Sequence, residues 1–264
     1  MPDEKEPQFF SFDRNVGSLR TLEEYERLFE KAELSHRAVG EASTDYLRSH
    51  CALPVILNYV DHPKIIVCIR HPVDMAVSIH NFSILQGRED IMDFWTAWHA
   101  QSERFLGARM PPQCRNPYQL WYGAICSLGY QLQRLYAWVP EEQIHIIQLE
   151  NMKHDPRYEY TRLLNFLGLP DDGRESFPVS NMGSVRRFNR AWSVLNQAHD
   201  MIRNLGIKWP DSGLLRKLDH MARQPINTES TLSSDQRAEL VDCFREETRM
   251  AEQTTGLDLD HWRR

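Results

Sequence analysis

The sequence predicts an α/β fold on a parallel sheet, and three observations predict it. Two short apolar runs, Lys64–Ile69 (KIIVCI) and Ile144–Glu150 (IHIIQLE), read as strands buried on both faces, as parallel strands usually are. A helical pattern follows each run, the alternation expected of right-handed crossovers. The 264 residues are 41% hydrophobic and 26% charged, the balance of a globular chain with a sizeable core.

The elements follow in chain order. Thr21 can cap a helix over TLEEYERLFEKAE: Glu23 and Glu24 suit its positive end, and Leu22, Tyr25 and Phe29 share a face. RAVGEAS (Arg37–Ser43) reads as a short strand and Asp45–Ser49 as a short helix. The strand KIIVCI ends at His71-Pro72, and Pro72 can begin a helix carrying Val73, Ala76 and Val77. Aromatic-rich helical segments occupy Met92–Phe105 and Leu120–Trp138. After the second strand, a helix over Tyr158–Phe166 is stopped by Gly168 and Pro170. Beyond Phe177 the pattern is mostly helical, and the last helix runs from a cap at Ser233 or Ser234 through Leu240 and Phe244 to Gly256. No repeat, low-complexity tract or long linker divides the chain, so residues 1–264 read as one domain.

Several function classes are excluded at this level. The longest apolar runs are a few residues, against the roughly 20 of a membrane-spanning helix, and MPDEKEPQFF lacks the features of a secretory signal. A net charge of −6 gives no global attraction for nucleic acid or anionic membranes. Cys51, Cys68, Cys114, Cys126 and Cys243 include no C-x-x-C pair, which fits a reducing cytoplasmic setting; Cys68 reads as a small core residue. The eleven histidines form no H-E-x-x-H, and no metal is expected. Without G-x-x-x-x-G-K-[ST], a P-loop kinase is disfavoured. One stretch, Arg186–Arg223, holds eight Lys/Arg against three Asp, a local excess of positive charge.

The most informative segment is KIIVCIRHPVDMAVSIH. Its strand delivers Arg70 to the C-terminal edge, where open α/β sheets bind ligands, and Ser78 lies two turns into the next helix. An arginine fork and a hydroxyl can grip a phosphate. The same spacing also suits an Arg70–carboxylate pair and a small packing serine.

The segment resembles the 3′-phosphate-binding strand and helix of sulfotransferases that use 3′-phosphoadenosine 5′-phosphosulfate. Other segments resemble that family in the same order. KEPQFF (Lys5–Phe10) is similar to K-E-P-x-F-F, and GEASTDYL (Gly40–Leu47) to G-E-x-S-x-x-Y-L. HIIQLENMKHDP with LLNFLGLP resembles the family's later strand and helix, and LSSDQRAELVDCF with GLDLDHW its C-terminal helix. The resemblance covers nearly the whole chain. It implies a three-layer α/β/α, P-loop NTPase-like fold with a helical C-terminal part.

It also implies roles. Glu6 would be the catalytic base, with Lys5 able to stabilise sulfonate charge. Arg70 and Ser78 would bind the 3′-phosphate of the co-substrate, and Arg186, with Arg187, would close over the nucleotide. Glu41 and Ser43 would face the acceptor side, where relatives often carry a lysine at the position of Ala42. Glu150, Phe9 and Phe10 read as structural. The family's first strand, its Lys/Arg-x-Gly-Thr-Thr loop for the 5′-phosphosulfate and the next helix have no counterpart between Met1 and Lys5. A misplaced or truncated start is the expectation, with a chain that as written lacks that grip. The acceptor reads as a hydroxyl (or amine) of a carbohydrate, lipid or small molecule, because an acidic chain argues against polyanions. The alternative reading is a non-catalytic nucleotide-binding or scaffold protein that retains the fold.

Overall fold

The computed structural model describes residues 5–14, 19, 21–114, 116–178 and 232–264, and the backbone of 184–186 and 223–225. Along the described chain run α1 (Leu22–Arg27), α2 (Ala52–Tyr59), β1 (Ile65–Ile69), α3 (Pro72–Leu85), α4 (Phe94–His99), α5 (Gln101–Phe105), α6 (Tyr122–Ile125) and α7 (Leu128–Trp138). Then come β2 (Ile144–Gln148), α8 (Leu149–His154), α9 (Pro156–Leu167), β3 (Ser184–Arg186), β4 (Arg223–Pro225), α10 (Ser234–Cys243) and α11 (Arg245–Thr255).

The two apolar runs pair in parallel, from Ile65 opposite Ile144 to Ile69 opposite Gln148. Val67, Ile69, Ile146 and Gln148 are buried on one face. On the other, His145 and Ile147 are buried, but Ile66 is 42% exposed and Cys68 is exposed. The expectation of two buried faces, with Cys68 in the core, therefore holds for β2 and not for β1. The cause is the cover: the Phe166 ring of α9 stacks on His145 at 5.1 Å, over β2, and leaves the outer residues of β1 to solvent. A separate antiparallel pair joins β3 to β4, with Val185 opposite Gln224.

The chain divides into two compact units. The first comprises Met1–His71, Ser127–Pro178 and Phe244–Arg264. Thr21 closes a capping box at its α1: the Thr21 hydroxyl accepts from Glu24 N at 3.2 Å, and Thr21 N donates to the Glu24 carboxylate at 3.1 Å. The helix stops at Arg27 rather than running to Glu33. Tyr25, Leu28 and Phe29 pack on a cluster with Phe9, Phe10 and Ala52, while residues 30–40 are exposed and give a longer helix nothing to pack on. The strand expected over Arg37–Ser43 is absent, since no described strand runs beside it to supply ladder bonds, and Asp45–Ser49 lies in turns rather than a helix.

Asp155 caps α9 through Tyr158 N at 2.9 Å, Pro156 begins it, and Gly168 ends it at φ 72, a left-handed cap that glycine adopts without strain. Helices α7 and α11 cross closely. A Cβ on Gly129 would lie 2.2 Å from the Glu247 carbonyl oxygen and 2.8 Å from Met250 Cβ. The Glu247 side chain also accepts from Tyr130 N at 2.9 Å, at the start of α7.

The second unit comprises Pro72–Cys126 and Val179–Cys243. Its α3 begins at Pro72 and buries Val73, Ala76 and Val77. The long helices expected around it are broken, at Ala100 between α4 and α5 and at Trp121 and Cys126 on either side of α6; in the first unit Phe244 precedes α11. Arg237 of α10 donates to Asp74 of α3 at 2.8 Å. Among its buried apolar residues lies a polar network. Arg104 grips Glu89 with two bonds of 2.7 Å, both side chains fully buried. Tyr122 OH donates to the same carboxylate at 2.5 Å, and Asp90 N and Ile91 N donate at 2.9 and 2.8 Å. Burial pushes the Glu89 carboxyl up, but these donors outweigh it and hold it below its ordinary value.

Two outcomes follow for urea unfolding. Gly129→Ala lowers stability by about 2 kcal/mol through overpacking, whereas helix propensity alone would raise it. Arg104→Met lowers stability by about 4 kcal/mol by leaving Glu89 buried without its cation. Adding Glu89→Gln to Arg104→Met recovers part of that loss, because Gln keeps an acceptor for the surrounding N–H groups.

Candidate active site

Two segments distant in sequence meet in the first unit: Lys5–Phe10 and the hydroxyl-rich turn after Gly40. Gln8 N donates to Ser43 Oγ at 3.0 Å, and Ser43 Oγ donates to Glu41 at 2.9 Å. Thr44 Oγ1 donates to Glu6 Oε2 at 3.0 Å. Glu6, Glu41 and Ser43 therefore belong to one cluster. Burial pushes the Glu41 carboxyl up, and the hydroxyls of Tyr46 and Ser43 that bond to it pull it part of the way back. Tyr46 OH also accepts from Phe10 N at 3.5 Å. Lys5 is exposed.

The turn is fixed from two further sides. Asp13 accepts from His50 N at 2.9 Å, from Cys51 Sγ at 3.0 Å and from Ser49 Oγ. Arg134 of α7 donates to the carbonyls of Leu47 and Ser49, the latter at 2.8 Å. Partial burial pushes the Asp13 carboxyl up, but its donors and the nearby Arg14 bring it down to about 2.

At the C-terminal edge of the sheet, Arg70 follows β1 directly and is half-buried. Among the described residues it has no hydrogen bond and no ion pair, so none of them is the carboxylate partner that its spacing also allowed. Glu150 is structural: its Oε1 accepts from His71 N at 2.8 Å and ties the ends of the two strands together. Its Oε2 and the Oε1 of Gln148 are buried without a hydrogen-bond partner among the described residues. Ser78 is half-buried in α3 of the second unit. Arg186 lies on β3, but its side chain, Arg187 and most of the basic stretch are outside the described residues.

Gln8, Thr44 and Asp13 escaped the sequence reading. The run of hydroxyls in GEAST was the one local sign that this turn is held by side chains. Among the described residues no group of three or more His, Cys, Asp or Glu is placed to hold a metal ion, and no helix is long and apolar enough to cross a membrane.

Comparison with known proteins adds a family. A family model described as a sulfotransferase domain matches residues 4–209. A sulfotransferase of solved structure from Alicyclobacillus acidocaldarius is similar, with a TM-score of 0.69 and 22% identity over 100% of this chain and 87% of that one. At that identity the likeness speaks for the fold, the parallel α/β, P-loop-like fold. No curated protein matches the sequence.

Asp13→Asn lowers stability at neutral pH by about 1 kcal/mol. Ionised Asp13 contributes its full stabilisation above the ordinary value of 3.8 and loses it as the pH falls towards about 2. The gap between wild type and variant in urea midpoint therefore narrows between pH 4.5 and pH 2.5.

Proposed function

The chain belongs to the sulfotransferase family, and on that premise we propose that it moves a sulfuryl group from 3′-phosphoadenosine 5′-phosphosulfate to a hydroxyl or amine of a carbohydrate, lipid or small-molecule acceptor. The observation that carries the choice of donor is Arg70. A half-buried guanidinium that meets no counter-charge among the described residues is costly to leave so, and a bound phosphate is a partner that removes the cost. Ser78, eight residues on, is the second 3′-phosphate ligand in this reading, and Arg186 a third contact to the nucleotide.

Glu6 is the general base. Thr44 and Gln8 hold its Oε2, while Oε1 has no hydrogen bond among the described residues. The open oxygen takes the acceptor's proton as the acceptor oxygen attacks sulfur. The bond from sulfur to the 5′-phosphate oxygen breaks, and 3′-phosphoadenosine 5′-phosphate leaves. Lys5 stabilises charge on the transferring group, and Glu41 and Ser43 face the acceptor. The family match runs through both compact units, which supports reading residues 1–264 as one domain. All five cysteines are free, which supports a reducing, cytoplasmic setting.

Calorimetry with 3′-phosphoadenosine 5′-phosphate tests the donor reading. Saturable binding is expected, weakened roughly 30-fold in Arg70→Ala. Binding that is absent, or indifferent to Arg70, overturns it. Glu6→Gln is expected to leave that affinity unchanged while lowering turnover of radiolabelled donor about 100-fold.

A further inference from the structure

We infer that Gln8 and Thr44 are positioning residues that aim the Glu6 carboxylate, an inference that rests on the reading of Glu6 as the base. Gln8 is 7% exposed, and all its amide groups are engaged. Its Oε1 accepts from Asp45 N at 3.2 Å, and Nε2 donates to Glu6 Oε2 and to Thr44 Oγ1, each at 3.3 Å. Because a backbone N–H can only donate, the Asp45 bond fixes which end of the amide is oxygen. The Nε2 group is thereby turned towards Glu6.

Thr44 donates to the same oxygen of Glu6 from the other segment. Both donors converge on Oε2, so the carboxylate is clamped at one oxygen and open at the other. That division suits a base: the held oxygen sets direction, and the open one meets the proton.

The backbone carries a second, independent sign. Glu6 and Gln8 flank Pro7 and both adopt left-handed φ, 53 and 54. Non-glycine residues reach that region at a cost of about 1 to 3 kcal/mol each, and they hold it only where the surroundings over-determine it. Here the surroundings are the bonds from Gln8 to Ser43, Thr44 and Asp45. Pro7 adds a rigid φ between the two. The result is a peptide held in one unusual shape, with a carboxylate at its tip.

The test compares Gln8→Met and Thr44→Val, which keep volume and remove hydrogen bonds, with Thr44→Ser, which restores the hydroxyl. Carbon-13 NMR of glutamate-labelled full chain at pH 7.5 reads the carboxyl resonance of Glu6, with the carboxyl of Glu252 as a remote control. The Glu6 resonance shifts in Gln8→Met and Thr44→Val, returns in Thr44→Ser, and leaves the Glu252 signal in place. A Glu6 signal unmoved by both apolar variants, or moved together with Glu252, overturns the inference.

Turnover of radiolabelled donor, with water, 1-naphthol and 4-nitrophenyl β-glucoside as probe acceptors, gives the functional arm. Gln8→Met lowers kcat roughly tenfold with KM unchanged, and it lowers nothing further in a Glu6→Gln background. Full additivity there overturns the inference and leaves Glu6 as base. A Glu6→Gln chain that turns over as fast as wild type, or a wild type with no turnover at all, overturns the reading of Glu6; the NMR arm still decides the clamp.

Discussion

Parallel pairing of β1 with β2 constrains everything else in the described chain. Parallel strands cannot be joined by a tight turn, so the chain between Ile69 and Ile144 must leave the sheet and return from the other end. That excursion carries α3 to α7 and, with them, the Pro72–Cys126 segment of the second compact unit. It also brings both strands out at the same edge, Arg70 and His71 from one and Leu149 and Glu150 from the other. The bond from His71 N to Glu150 closes that edge. In open α/β sheets this is the side at which ligands bind, and it is here that a guanidinium and two buried side-chain oxygens stand without partners among the described residues.

The contrast with the second unit is instructive. There, Glu89, Arg104 and Tyr122 form a closed network in which the buried carboxylate is met from several directions. A closed network specifies a core and offers nothing to a ligand. Arg70 is the opposite case, a charge partly withdrawn from water and without a partner among the described residues. The turn after Gly40 lies between these extremes. It has no regular secondary structure, so side chains do the work that a ladder would otherwise do: Asp13, Gln8 and Arg134 each supply bonds to its backbone or hydroxyls. Some of those bonds are shared with the carboxylate of Glu6, so the scaffold of the turn and the proposed base are one construction.

Much of this was legible in the residues. The apolar β-branched runs, the proline that opens α3, the cap at Thr21 and the stop at Gly168 are local signals, and each is where the pattern put it. So is Arg70 at the strand end, whereas the meeting of the K-E-P and G-E-x-S segments shows only in the fold. The strand expected over Arg37–Ser43 failed for a physical reason: an extended peptide becomes a strand only when a neighbour supplies hydrogen bonds. The exposure of Cys68 has a similar origin, since five apolar residues in a row say that a strand prefers burial and not which faces are covered.

By itself, then, the sequence determined the helix and strand preferences, the punctuation between them and the chemical types at the strand ends. These depend on dihedral limits, capping and periodicity, all properties of neighbouring residues. Tertiary structure alone decided that Glu89 would meet Arg104, that Gly129 would lie against the backbone of α11, and that Gln8 would clamp Glu6 together with Thr44. The partners in the last case are 36 residues apart. Hydrogen bonds act over about 3 Å, so who meets whom at that separation is settled by the path of the folded chain.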